Sequence, residues 1–285
     1  MRTFATLFDS KYLVKGMLLL ESIYAHCADP PTVVVLSLDD RVTEVVQKFT
    51  PIPVGIVTLA DFERETGIDE VRAPRTHQEY CWTLASALSW YLLASCDFRD
   101  VTYLDADLWF FADPEIMFDE IGMRSIGIVP HRFPPDRKHM ESNGKFNVGS
   151  VTFRATGAGF DCARSWARQC REWCYYRAED GKFADQKYLD AWPERHGDEC
   201  AIIEHPGVGL APWNVNQYSL RLTGTELLIN DKYPLVYYHM HEFQELGDGT
   251  TRLTNYSLQA DAIKYIYKPY VEAYREMKRR IGEFV

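Results

Sequence analysis

The chain has 285 residues, 46% hydrophobic and 14% aromatic, enough to bury a large core as one α/β domain with or without a small appendage, and too apolar for disorder. Its formal net charge of −10 excludes the basic stripe that a nucleic-acid backbone requires, so no nucleic-acid partner is expected. A diphosphate ligand stays open, because a metal can neutralise it locally.

Seven cysteines show no paired Cys-x-x-Cys spacing, which points to free thiols in a reducing cytoplasm. The first residues meet Asp9 and Lys11 too early for a signal-peptide core, and no apolar run reaches spanning length, so a soluble, unsecreted protein is expected.

Thr3 to Phe8 reads as a first strand, and Tyr12 to His26 carries apolar residues at helical spacing, with Asp9 or Ser10 placed to cap it. Val33 to Leu38 is a second strand, Arg41 to Phe49 a short helix, and Val54 to Leu59, after Pro51 and Pro53, a third strand. This alternation predicts right-handed crossovers and a parallel sheet. Thr76 to Cys96 is a long helix leading to Val101-Thr102-Tyr103-Leu104-Asp105-Ala106-Asp107-Leu108-Trp109-Phe110-Phe111. There an apolar run ends in two carboxylates one residue apart, as when a buried strand lifts Asp105 and Asp107 out of the core at its carboxyl end. Two hard oxygen ligands this close hold one Mg²⁺ or Mn²⁺ and leave positions for phosphate oxygens. Asp-x-Asp also arises by chance as a turn cap; the flanking buried run favours the metal.

After Asp113-Pro114, Ile116 to Ile121 form a short helix and Ser125 to Pro130 a strand delivering His131, followed by a basic loop from Arg132 to Lys138. Phe146 to Arg154 is an alternating strand in which Gly149 permits a close approach by a ligand or a second backbone. Gly159 to Arg177 is an amphipathic helix holding Cys170 and Cys174 one turn apart, and Asp185 stands near the start of a further short helix. His205 to Asn214 is irregular, either an ordered surface loop or a substrate contact. Leu235 to His241 is a last strand with His239 and His241 on one face. Leu258 to Arg280 is a terminal helix with basic residues and tyrosines, either a solvated face or a peripheral contact with an anionic membrane.

In order, Leu7-Phe8-Asp9-Ser10-Lys11-Tyr12, Tyr103-Leu104-Asp105-Ala106-Asp107, Phe146-Asn147-Val148-Gly149, Asp185-Gln186 and Tyr238-His239-Met240-His241 resemble the motifs of GT-A nucleotide-sugar glycosyltransferases. The likeness is to the family-eight retaining enzymes, which include glycogenin and bacterial lipooligosaccharide galactosyltransferases. It implies a GT-A nucleotide-sugar-binding and catalytic domain over residues 1–245, with a Rossmann-like, mostly parallel α/β sheet carrying helices on both faces, and a C-terminal helical extension over 246–285. The activity implied is transfer of a hexose from a nucleotide sugar, a UDP-sugar favoured, to a glycan or lipid-linked acceptor with retention. The place implied is the cytoplasm or the inner face of the membrane.

The resemblance also assigns roles. Asp105 and Asp107 bind Mn²⁺ or Mg²⁺, Asp105 also near the ribose, and His239 completes the ligands with His241 as substitute. Thr6, Leu7, Phe8, Asp9 and Tyr12 form the nucleotide edge. Asn147 and Gly149 face the donor sugar, and Asp185 and Gln186 lie beneath its anomeric carbon as catalytic groups. Two features depart from the pattern: Glu242-Phe243-Gln244-Glu245 stand where the family places a Gly and then Lys-Pro-Trp, and Trp82 stands near where many relatives place an Arg. Phosphate closure then falls to Arg132, Arg137, Lys138 or Lys268. Two other classes compete. A phosphohydrolase of haloacid dehalogenase type would use Asp105 as nucleophile, but wants the motif near the domain start and Thr or Val where Trp109 stands. A non-catalytic sugar-nucleotide-binding domain would lose the metal ligands that are present here.

Overall fold

Strand β1 (Thr3–Phe8) is buried along its whole length because other strands flank both edges and helices cover both faces. Phe4 and Phe8 enter one apolar core and Ala5 and Leu7 the other, the two-residue alternation of a strand. The structure, a computed structural model, describes residues 2–50, 53–247 and 249–284; Pro51, which the sequence places before the third strand, lies outside them.

From β1 the chain runs through α1 (Leu13–His26), β2 (Thr32–Ser37), α2 (Asp40–Phe49), β3 (Val54–Thr58) and α3 (Leu59–Thr66) to α4 (His77–Ser95). Asp39 caps α2 by accepting the Val42 N–H, and Thr76 with Glu79 forms a reciprocal capping box on α4. Next come β4 (Asp100–Leu104), β5 (Leu108–Phe110), α5 (Glu115–Ile121), β6 (Ile126–Pro130), β7 (Phe146–Arg154), α6 (Gly157–Glu172), α7 (Trp192–His196) and β8 (Cys200–Ile202). The central sheet has seven strands in the order β3-β2-β1-β4-β7-β6-β8. It is mostly parallel, β7 alone running antiparallel to its two neighbours. After building outward to β3, the chain returns to the other edge of β1 as β4. That reversal makes a crevice at the carboxyl ends of β1 and β4, where open α/β sheets bind ligands.

A small antiparallel sheet of β9 (Leu220–Thr223), β10 (Glu226–Ile229) and β11 (Tyr233–Pro234) follows. Then β12 (Tyr237–His239) pairs antiparallel with β5, outside the central sheet. The C-terminal segment winds through α8 (Ala260–Ala262) and a π-helical turn, Ile263–Tyr267, into α9 (Lys268–Ile281). Tyr267, Tyr270 and Met277 there share one core with Val14 and Leu18 of α1.

Three local expectations change. Neither Asp9 nor Ser10 caps α1, whose capping residue is Tyr12 without a side-chain bond; Asp9 instead accepts the Lys11 and Tyr12 N–H groups just before the helix. The amphipathic helix stops at Glu172, so Cys174 lies beyond it; both Cys170 and Cys174 are fully buried, and all seven thiols are free. The basic end of α9 is neutralised: Lys278 pairs with Glu245, Arg279 with Glu276 and Arg280 with Glu21. Among the described residues, no helix is long and apolar enough to cross a membrane.

Candidate active site

The site begins where β4 ends. The Leu108 N–H donates to the Asp105 carbonyl (3.2 Å), closing Asp105-Ala106-Asp107 into a turn, and the Asp105 N–H donates to the Gly149 carbonyl (3.0 Å). The β5–β12 pairing sets His239 opposite Leu108, one residue past Asp107, and the Met240 N–H donates to the Asp107 carbonyl (2.8 Å). The imidazole is thus delivered to the carboxylates by strand register. His239 Nε2 lies 3.0 Å from Asp107 and 3.8 Å from Asp105, and one ligand atom from each of the three falls within 4.8 Å of the others. Two carboxylate oxygens and an imidazole nitrogen converging in this way fit a divalent ion such as Mn²⁺.

Electrostatics agree with that use. Burial pushes both carboxyls up. At Asp107 the charge and hydrogen bond of His239 outweigh burial and hold it well below the usual carboxylate range; at Asp105 burial and the neighbouring Asp107 win, and it is pushed up to about 6. For His239 burial works downward, but Asp107 and Asp105 carry the imidazole above its ordinary 6.5. The metal-free chain therefore gains stability from the His239–Asp107 pair below pH 6.5 and loses it as pH rises through the raised value. Metal binding runs the other way, because the ion must displace that proton. Mn²⁺ affinity is expected to climb between pH 6 and pH 8 with about one proton released per ion; titrations in two buffers of different ionisation enthalpy check it.

Gly149 makes the arrangement sterically possible. A Cβ there would stand 2.5 Å from Asn147 Oδ1 and 3.1 Å from the His239 ring. Gly149→Ala is expected to push His239 aside and weaken Mn²⁺ binding about tenfold or more while the chain still folds; Mn²⁺ titration of the variant beside its thermal melt separates the two effects. Asn147 is itself engaged, accepting the Gly149 N–H (2.9 Å) and facing His131 Nε2 (3.2 Å).

The other residues singled out by sequence fall around this cluster. Thr6, Leu7 and Phe8 are buried in β1, so only their backbone can meet a ligand. Asp9 pairs with His77 at 2.9 Å, and Tyr12, the exposed aromatic at this edge, has its hydroxyl pKa pushed up first by Asp107 and then by burial. Asp185 is buried with Oδ2 lacking a hydrogen-bond partner among the described residues, and burial, followed by the charge of Asp105, raises its pKa well above the ordinary carboxylate value. Ala184, just before it, is held in the left-handed region, a strained backbone for a non-glycine residue. Gln186 donates from Nε2 to the Asn143 carbonyl. His241 stands 5.7 Å ring to ring from His239 and is not part of the three-residue cluster.

Sequence reasoning left the segment before Asn214 open, and the structure buries it. Trp213 packs against His131, His239 and His241, and both Trp213 Nε1 and Asn214 Nδ2 donate to the His131 carbonyl. It is a wall behind the histidines, not an ordered surface loop. Two groups went unnoticed. His77 looked like an ordinary helix-start residue, and Lys15 was hidden inside an apolar helical pattern.

No protein-family model matches the chain. It is 28% identical over 286 residues to the uncharacterized protein YfnD of Bacillus subtilis (strain 168), covering 98% of this chain and 90% of YfnD. It is 27% identical over 277 residues to YfnF of the same organism, with 94% and 90% covered. Among solved structures it is similar to the galactosyltransferase LgtC, in complex with donor and acceptor sugar analogues: TM-score 0.58 at 14% identity, over 96% of this chain and 95% of that one. Mouse xyloside xylosyltransferase 1 gives a TM-score of 0.52 at 12% identity, over 85% and 98%. Matched over nearly its whole length, and with its mostly parallel sheet, the chain has the GT-A glycosyltransferase fold that its five motifs resemble.

Proposed function

We propose that the protein is a metal-dependent glycosyltransferase that moves a hexose from a nucleotide sugar, a UDP-sugar favoured, to a glycan or lipid-linked acceptor. The observation that carries this reading is the convergence of Asp105, Asp107 and His239 at the β1/β4 crevice of a GT-A fold. LgtC, similar in fold, was solved with donor and acceptor sugar analogues.

In this reading Asp105, Asp107 and His239 hold the divalent ion, which when bound supplies charge to stabilise a departing diphosphate. Backbone groups of Thr6, Leu7, Phe8 and Asp9, with the Tyr12 ring, receive the base and ribose. Asp185, whose carboxyl burial pushes toward its protonated form, is placed to hydrogen-bond a sugar hydroxyl. Gln186, beside Gly144, offers an amide oxygen toward an anomeric centre that becomes cationic. Among the described residues the carboxylates of the site have other roles in this reading, Asp105 and Asp107 on the metal and Asp185 beneath the sugar, which favours retention, with the departing phosphate oxygen taking the acceptor's proton. Residues 1–245 form the catalytic domain and 246–285 the extension that covers it. Seven free thiols support a cytoplasmic location.

A panel of UDP-, GDP- and dTDP-hexoses incubated with Mn²⁺ tests the reading. Release of nucleoside diphosphate from one donor, abolished by EDTA and absent in Asp105→Asn, is expected. Phosphate release from a generic phosphoester with no nucleotide-sugar turnover would favour a phosphohydrolase instead.

A further inference from the structure

Lys15 lies in the first turn of α1 and is 8% exposed. Its ammonium sits 4.3 Å from the centroid of the Tyr12 ring. It makes no hydrogen bond or ion pair among the described residues, yet its charge is felt at Asp107, His239 and His241. Three circumstances are unfavourable to a cation here. It is buried, it has no carboxylate in contact, and it stands at the positive end of a 14-residue helix. A lysine that only filled space would be better replaced by Met or Leu. Each of these penalties is reversed when an anion arrives, since a helix N-terminus and an unpaired ammonium together attract phosphate.

The charge balance of the site calls for such a group. A divalent ion held by two carboxylates keeps no net charge with which to offset a nucleoside diphosphate. The basic residues that sequence nominated are engaged elsewhere or exposed. Arg132 donates to the carbonyls of Val208 and Ile203, Arg137 donates to the Trp213 carbonyl and covers the Tyr256 ring, Lys138 pairs with Glu141, and Lys268 is exposed at the start of α9. Lys15, by contrast, has only the Tyr12 ring as a partner among the described residues, and its charge is felt at Asp107 and His239.

We propose that Lys15 is the residue that binds the donor's diphosphate, acting from beneath Tyr12 beside Asp107. This rests on the nucleotide-sugar reading above. Arrival of the diphosphate turns a destabilising buried ammonium into a charge-assisted pair with phosphate oxygens. Burial lowers the affinity of Lys15 for its proton in the empty site, and Asp107 partly restores it. The Tyr12 ring packs against the ammonium, so the aromatic of the nucleotide edge and the phosphate-binding cation meet in one turn of chain.

The test is Lys15→Met, which keeps the stem's volume and removes the charge, with Lys15→Gln as a second variant should the first fold poorly. Equilibrium dialysis uses whichever of UDP, GDP and dTDP the wild-type chain binds with Mn²⁺, and Mn²⁺ alone is titrated in parallel. Expected are a thermal midpoint equal to or above wild type, Mn²⁺ binding unchanged or tighter without nucleotide, and nucleotide binding weakened about tenfold to a hundredfold. Nucleotide affinity equal to wild type would overturn the assignment and leave the transferase reading standing. A fall in stability, Mn²⁺ affinity and nucleotide affinity together would overturn it in favour of a packing role. No nucleotide bound by the wild-type chain would overturn the transferase reading, and this inference with it.

Discussion

Asp107→Ala is expected to abolish Mn²⁺-dependent nucleotide binding while the chain stays folded. Asp107 is the most strongly charged member of the cluster, held ionised by the charge and hydrogen bond of His239 against its own burial. Removing it takes away one of three ligands and the partner that orients His239, so Mn²⁺ affinity should fall by at least about a hundredfold. The fold should survive, because the turn after β4 is closed by main-chain bonds from Leu108 to Asp105 and from Asp105 to Gly149. His239 can then relax to its neutral form, avoiding an uncompensated buried charge. Mn²⁺ titration followed through the free-ion paramagnetic resonance signal, with a thermal melt beside it, reads both quantities. Unchanged Mn²⁺ affinity would remove Asp107 from the ligand set.

Tyr270→Ala is expected to cost about 3–5 kcal/mol of stability, the usual range for deleting a buried aromatic ring. Tyr270 is 1% exposed, and its ring meets Trp109 at 5.3 Å and Phe243 at 4.9 Å, both edge to face. Trp109 belongs to β5, the strand whose pairing with β12 delivers His239. The C-terminal helix therefore braces the ribbon that assembles the metal ligands, although none of its side chains is one of them. For a chain of this size the loss corresponds to a drop of roughly 10 °C in thermal midpoint. A drop under about 3 °C in a scanning melt would show that α9 supports this ribbon little.

Much of this was legible because the relevant signals are local. β1 and β2 announce themselves by largely apolar runs between turn residues, since strands covered on both faces have little polar side to show, and the half-buried edge strand β3 by Val54, Ile56 and Val57 after its prolines. Asp105 and Asp107 are legible because they interrupt such a run where a buried strand must end. What stayed hidden depends on distance along the chain. His239 joins the aspartates through the register that pairs it with Leu108, far away along the chain, and the sequence alone left His239 and His241 as rivals. The β9–β10 hairpin was missed because its strands are only four residues each, too short for the burial of Leu220, Leu227 and Ile229 to show as a pattern. Trp213 stood in a segment left open between a surface loop and a substrate contact because Gly and Pro surround it, yet its ring fills the space behind three histidines. Lys15 escaped for the opposite reason. A single polar residue in an apolar helix is usually tolerated noise, and only burial without a partner makes it a signal.

The central claim is that this crevice binds a nucleoside diphosphate through a metal held by Asp105, Asp107 and His239. Calorimetric titration of the wild-type chain with UDP, GDP and dTDP, each with Mn²⁺ and with EDTA, tests it most directly. The account predicts that one nucleotide, UDP foremost, binds with Mn²⁺ and loses that binding in EDTA. Absence of binding by all three under both conditions, from a folded protein, would contradict it.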